Sequence, residues 1–367
     1  MHAVATVFGV VLLVVIAWDA FETMLLPRRV SRRLRISSTF LEGLWLGWSF
    51  VGRRLPRGRA ESYLSLYALL GLLMLFAIWV SAVTVGYSLI DLGLGRAFTT
   101  TTGVSGFVAD LYVSGTTIFT LGLGDVLPIT GWSRFVTVIE GGTGLIFLAL
   151  VNSYLPVLYQ SFSRRELQIA LLDEWARTPP TGVELLRRTA RSGSLDDLGE
   201  FFREWEHWAA DILESHVSFP ILGYFRSQHD NQSWLAAMTA VLDAAALCMV
   251  GVAGVPLTPA RRAFAMNRHA AVDLSQVLGS RPLLEDWASD RADGWSGVTL
   301  KDLQSLLGDA GIGIEPHEEH FSKLRRAYEP YLAALSVHLM MPMPPLLPTK
   351  EASDNWRTSQ WEVIRTV

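Results

Sequence analysis

A single cysteine, Cys248, in 367 residues excludes an intrachain disulfide and a cysteine-built zinc cage. The extracellular disulfide-scaffold class is closed, and any soluble part is expected to face a reducing compartment. Charge is scarce too. Only 18% of the residues are Asp, Glu, Lys or Arg, 50% are hydrophobic, and the mean hydropathy is +0.29. That composition excludes a disordered or fibrous chain and argues against a wholly water-soluble one. The formal net charge of -4 gives no global bias toward nucleic acid, and none is expected as a partner. Catalytic signatures are missing as well. There is no P-loop and no nucleophile-base pair, and the glycines at Gly251–Gly254 and Gly308–Gly313 follow no strand, so no dinucleotide fingerprint forms. His317-Glu318-Glu319-His320 lacks the zincin spacing of two histidines four apart and reads as a solvated helix start after Pro316. Neither an enzyme nor a cofactor is expected.

The hydrophobic residues gather in runs. Residues 62–90 carry no charge over 29 positions, more than the roughly 20 a helix needs to cross a bilayer. Residues 141–163 are also charge-free and join Phe135–Ile139 across Glu140. The opening Ala3–Trp18 lacks the basic start and small-residue cleavage site of a signal peptide, and is read as a retained first helix. Between Arg28 and Arg59 stand nine arginines (28, 29, 32, 33, 35, 53, 54, 57 and 59) against one acid, Glu42, which marks a cytoplasmic connector. Residues 91–134 carry Arg96 and Arg134 against Asp91, Asp110 and Asp125, and are placed outside; Arg164-Arg165 returns the chain to the cytoplasm. The N-terminus is thus expected outside and the C-terminus inside. Phe40, Leu41, Leu44, Trp45, Trp48 and Phe50, set among the arginines, suggest an interfacial helix with anionic lipid at the Arg28–Arg59 connector.

Beyond Arg164 charge returns and helical spacing dominates, as in Leu198, Phe201, Phe202 and Trp205 behind a Ser194/Asp197 cap. No alternating strand pattern is evident. Trp234–Val255, with Asp243 as its sole charge, is read as a buried bundle helix, since a fourth span would carry Arg261 and Arg262 across the membrane.

Asp110–Asp125 is too short and too interrupted to cross. A half-length helix over about Phe107–Ile118, followed by an extended return through Thr120, Leu121, Gly122, Leu123 and Gly124, fits the pattern. Glycines at alternate positions permit backbone angles that turn successive carbonyls one way while the leucines pack outward. Four copies around an axis would stack rings of carbonyl oxygen able to replace the water shell of a bare monovalent cation. Non-helical backbone at membrane depth is tolerated only when buried in protein or lining an aqueous path.

This stretch resembles the pore module of potassium channels, whose filter reads Thr-Val-Gly-Tyr-Gly-Asp or a close variant; here it reads Thr-Leu-Gly-Leu-Gly-Asp. Pro128, Thr130, Trp132 and Arg134 follow Asp125 at the spacing of two-helix bacterial members, and Gly144 falls on the family's gating glycine. Leu123 replaces the usual tyrosine, as in the second pore of some two-pore-domain channels. Phe119 and Thr116 also depart from the pattern. The resemblance implies ion-binding carbonyls at Thr120–Gly124, with Thr117, Asp125 and Glu140 as filter supports. It also implies Gly144, Leu148, Asn152 and Pro156 as pore-lining or gate positions, potassium as the permeant ion, and a homotetramer, since the chain has one filter.

Glu140 inside a span is read as a protonated or hydrogen-bonded support behind the filter, and Pro156 as a bend near the inner helix's cytoplasmic end. Asp19 and Glu22 are expected to pair with Arg28 or Arg29. The expected fold class is an all-α membrane protein with three transmembrane helices, a re-entrant pore helix and filter, and a cytoplasmic helical domain. The segments are residues 1–27 (first span), 28–61 (basic connector), 62–163 (pore module), 164–340 (cytoplasmic domain, binding an unknown ligand or protein) and 341–367 (Pro-rich flexible tail). The alternative is a weakly selective cation channel, or a non-conducting membrane sensor or scaffold. No voltage-sensor helix, EF-hand or nucleotide fingerprint names a gating stimulus.

Overall fold

The computed structural model describes residues 2–26, 35–95, 98–100, 106–193, 195–228, 232–252, 254–255, 257–282, 300–313 and 318–348. Arg28, Arg29, Arg32, Arg33, Arg96, Ser194, Pro316, His317 and residues 349–367 of the tail lie outside them. Two compact units emerge, Met1–Tyr159 and Gln160–Val367. The first contains α1 (His2–Met24), α2 (Ile36–Gly52), α3 (Arg57–Leu94), β1 (Phe98–Thr100), α4 (Phe107–Ile118), β2 (Val126–Pro128) and most of α5 (Gly131–Ala176). Helices α1, α3 and α5 are long and apolar enough to cross a membrane, with mean hydropathies of 2.4, 2.4 and 1.7 over their most apolar stretches. At 38 residues α3 is about 57 Å long, well beyond the hydrocarbon thickness, so it starts five residues before the charge-free run and tolerates Arg57, Arg59 and Glu61 in its first turns.

Helix α1 meets α3 through small residues. A Cβ on Gly9 would lie 2.5 Å from the Gly86 carbonyl oxygen, and one on Gly86 2.8 Å from Leu13. The backbones therefore touch, the usual basis of helix association where no hydrophobic drive exists between apolar surfaces. Helix α2 folds back on α3: Trp45 is buried edge-on against Tyr67, Trp48 stacks on Tyr63 at 4.7 Å, and the Tyr67 hydroxyl donates to the Leu41 carbonyl at 2.7 Å. The aromatic residues expected to face headgroups are thus divided. Trp45 and Trp48 serve α3, while Phe50 remains exposed.

Asp19 ties these three helices together. Its carboxylate accepts from the Ser37 amide at 3.2 Å, the Ser37 hydroxyl at 3.2 Å and the Trp79 indole at 2.9 Å. It caps the start of α2 from another helix; the expected partners Arg28 and Arg29 lie outside the described residues. Glu22 accepts from Trp18 at 2.7 Å and lies 4.0 Å from Arg35. Strands β1 and β2 pair antiparallel, with Thr99 opposite Leu127, a small ladder the sequence pattern did not reveal.

Helix α5 runs unbroken through residue 164, where a domain boundary was expected, because residues 164–176 contain no helix breaker. Pro156 sits inside it without ending it. In the second unit α6 (Gly182–Arg191), α7 (Leu198–Ser218), α8 (Trp234–Val250), α9 (Leu257–Val277), α10 (Leu300–Gly308), α11 (Glu318–Arg326) and α12 (Glu329–Leu339) form a bundle. Helix α8 is buried at 16 of its 17 positions, so its all-round apolar surface belongs to a bundle core. Its one charge, Asp243, accepts from the Tyr328 hydroxyl and lies 3.4 Å from Arg325, which also donates to Glu329 at 2.9 Å. Burial pushes the Asp243 carboxyl up, and the guanidinium and phenol pull it back. Arg165, of the Arg164-Arg165 pair that marks the end of the last charge-free run, is buried and donates to the carbonyls of Leu222 at 2.8 Å and Phe225 at 2.9 Å.

Replacing Asp19 by Ala leaves the Trp79 indole and the Ser37 amide without a buried acceptor, at about 1–3 kcal/mol for each orphan. Thermal unfolding of the detergent-solubilised protein is expected several degrees lower than wild type, with Asp19→Asn intermediate. An unchanged melting temperature would mean that the helices are held elsewhere.

Candidate functional site

The non-helical stretch between α4 and β2 is built from the helix outward. Thr116 and Thr117 in the last turn of α4 turn their hydroxyls back to the Val113 carbonyl, at 2.9 and 2.8 Å, so the expected support by Thr117 does not come through its hydroxyl. It comes from the backbone. The Thr117 carbonyl accepts the Thr120 amide at 3.0 Å, and the Thr116 carbonyl accepts the amides of Leu121 at 2.7 Å and Gly122 at 3.4 Å. Thr120, Gly122 and Gly124 then take φ values of 56°, 53° and 77°, whereas Leu121 and Leu123 do not enter the positive region. A threonine held there costs about 1–3 kcal/mol, and such strain gathers at functional sites. The sign of φ alternates over these five residues. Phe119, Leu121 and Leu123 are each more than 60% exposed in the single chain, so none is anchored against α4.

Two braces flank this stretch. The Tyr112 hydroxyl on α4 donates to Asp125 at 3.0 Å. Beyond β2, Thr130 and Ser133 exchange amide-to-hydroxyl bonds of 3.1 Å in a reciprocal cap that starts α5, and Arg134 donates to the Pro128 carbonyl at 3.2 Å. The Pro-x-Thr-x-Trp-x-Arg run therefore has a local structural role. Trp132 remains exposed.

Behind α4, side chains from three helices converge. Ser114 Oγ lies 2.9 Å from the Thr84 carbonyl on α3 and in close hydrogen-bonding contact with the Glu140 carboxyl on α5. Tyr87 and Thr143 share a hydroxyl-hydroxyl bond of 2.7 Å. Asp91, fully buried near the end of α3, has neither carboxylate oxygen hydrogen-bonded among the described residues. Sequence reasoning singled out Glu140 but missed Ser114 and Asp91. The 26 residues between Ser114 and Glu140 carry no periodic signal, and Asp91 looked like the first residue of a polar connector.

The structure separates the four expected gate positions. Gly144 is buried, and a Cβ there would collide with the Ile118 carbonyl at the end of α4, so this glycine permits close helix contact. Leu148, Asn152 and Pro156 are exposed. Among the described residues no cluster of three or more His, Cys, Asp or Glu is arranged to hold a metal.

No family model matches the chain, and no solved structure matches it. The chain is similar to the uncharacterized membrane protein YdjJ of Bacillus subtilis (strain 168), 27% identical over 201 residues, which are 54% of this chain and 58% of that protein. The match thus spans less than two thirds of the relative's length. With its three long apolar helices, the chain is a helical membrane protein.

Gly144→Ala forces a methyl group into the Ile118 carbonyl, an overpacking worth about 1–3 kcal/mol. The melting temperature is expected to fall, whereas Gly142→Ala, with nothing within 4 Å of the added carbon, leaves it unchanged. Equal behaviour of the two variants would contradict the contact.

Proposed function

We propose that this chain is the pore-forming subunit of a potassium-selective channel that works as a homotetramer and conducts passively. The observation that carries this reading is the alternation of φ along Thr120–Gly124 at the end of a half-length helix. Carbonyls turned to one side can stand in for the water shell of a dehydrated cation, and four chains close the ring. The C-terminal end of α4 places its negative dipole end toward the same stretch, which favours a cation. Exposure of Phe119, Leu121 and Leu123 in one chain fits packing against neighbouring copies in the assembly.

On this reading α4 is a re-entrant pore helix, α3 and α5 are the outer and inner helices, and Leu148, Asn152 and Pro156 line the lower pore. The N-terminus lies outside. Arg53, Arg54 and Arg59, in and after the turn that joins α2 to α3, face the cytoplasmic leaflet and its anionic lipids, and the second unit is cytoplasmic.

The test is potassium flux in liposomes holding the purified protein. Flux is expected to be blocked by barium. It should fall at least about tenfold in Gly122→Ala, since each of four chains would carry an alanine in a left-handed conformation costing roughly 1–2 kcal/mol. Native mass spectrometry should give a tetramer. Undiminished flux in the variant, or a monomer as the sole species, would overturn the filter assignment.

A further inference from the structure

The hydrogen atoms behind α4 do not add up if every carboxyl there is ionised. Ser114 has one hydroxyl proton and two oxygen neighbours, the Thr84 carbonyl at 2.9 Å and the Glu140 carboxyl in closer contact. A backbone carbonyl can only accept. The Ser114 proton therefore belongs to Thr84, and the contact between Ser114 and Glu140 needs a second proton, carried by the Glu140 carboxyl. If Ser114 gave its proton to a Glu140 carboxylate instead, two oxygens would face each other across 2.9 Å with nothing between them.

Asp91 makes the same demand independently. It is fully buried, and among the described residues neither of its carboxylate oxygens has a hydrogen bond. An unpaired buried carboxylate is too costly to keep, whereas a neutral acid gives up far less on leaving water. Its charged surroundings do not help. When ionised, Asp110 on α4 and Glu140 on α5 would both stand to it as like charges. On its own helix Tyr87 is engaged with Thr143, and from α1 the His2 ring lies 3.0 Å from the Leu92 carbonyl.

We propose that α3, α4 and α5 enclose a proton-binding site in which Glu140 and Asp91 are held as neutral acids, and that the bound protons keep α4 seated against its neighbours. The ligand is the proton itself. With the acids neutral, Ser114 bridges α3 to α5 through α4. Once they ionise, two or three like charges share one apolar space and drive the helices apart. The sign follows. An acid that is neutral when packed and ionised when exposed stabilises the packed form at low pH, and that contribution is lost as pH rises through the packed-state value.

Two measurements test this without reference to conduction. Infrared spectra of the detergent-solubilised wild type at neutral pH should contain a protonated-carboxyl stretch that loses intensity in both Asp91→Asn and Glu140→Gln. Its absence from the wild type overturns the proposal, whatever the variants do. The wild-type melting temperature should also fall as pH is raised from about 5 to about 9, and the fall should flatten in Asp91→Asn, which stays neutral throughout. An undiminished slope in both variants overturns the proposal. So does a slope abolished by added calcium, which would make the site a cation site. A third arm rests on the pore reading: potassium flux should decline as the outside pH is raised and become insensitive to pH in Asp91→Asn. Lack of flux in every protein would count against the pore reading and leave the infrared result to judge the proton site.

Discussion

A helix of twelve residues cannot hold itself in place, since isolated helices of that length are marginal in water and gain nothing from being short. Helix α4 persists because it is gripped from both sides. Ser114 joins it to Thr84 and Glu140, and Gly144 lets α5 approach until the Ile118 carbonyl touches the glycine backbone. Everything distinctive about the stretch that follows depends on this grip. The Thr116 carbonyl can receive the Leu121 and Gly122 amides only if the last turn of α4 is fixed. Thr120 can be kept at a φ of 56° only if the structure on either side over-determines it.

What could be read from residues alone follows the range of the interactions. The bounds of α4 and the glycine alternation at Gly122 and Gly124 are local, so sequence pattern reaches them. The long helices are visible as runs without charge, but their ends are not. Arg57 and Glu61 extend α3 past the run, and the guanidinium of Arg165 rests on the carbonyls of Leu222 and Phe225, 57 and 60 residues away, partners that no local pattern points to. Asp19 caps α2 and holds Trp79 across 18 and 60 residues, contacts that no local pattern displays; at close range a backbone amide and an indole satisfy a buried carboxylate without adding a second desolvated charge. Gly144 shows the same limit. Its spacing points to a hinge, and its surroundings make it a contact.

The second unit meets the same constraint with a different solution. Helix α8 uses alanine to bring its neighbours close; a Cβ on Gly182 would meet the Ala244 amide at 2.5 Å. A charge in such a core must be answered at once, and Asp243 is answered by Tyr328 and Arg325, with Glu329 balancing the arginine. Replacing the whole group by apolar residues could leave stability unchanged, while removing one member would strand the others. The network therefore acts chiefly to fix which faces of α8, α11 and α12 meet.

Helix α5 is the one element that belongs to both units, and the grips on it are unevenly spaced. At its upper end Ser133, Glu140 and Gly144 are buried; further along, Arg165, Ile169 and Leu172 are fixed within the second unit. Between them, of the residues from Leu145 to Gln160, only Tyr154 and Leu158 are buried, and Pro156 lies there with no amide to donate. A helix held at two ends and missing a hydrogen bond between them bends most easily in the middle.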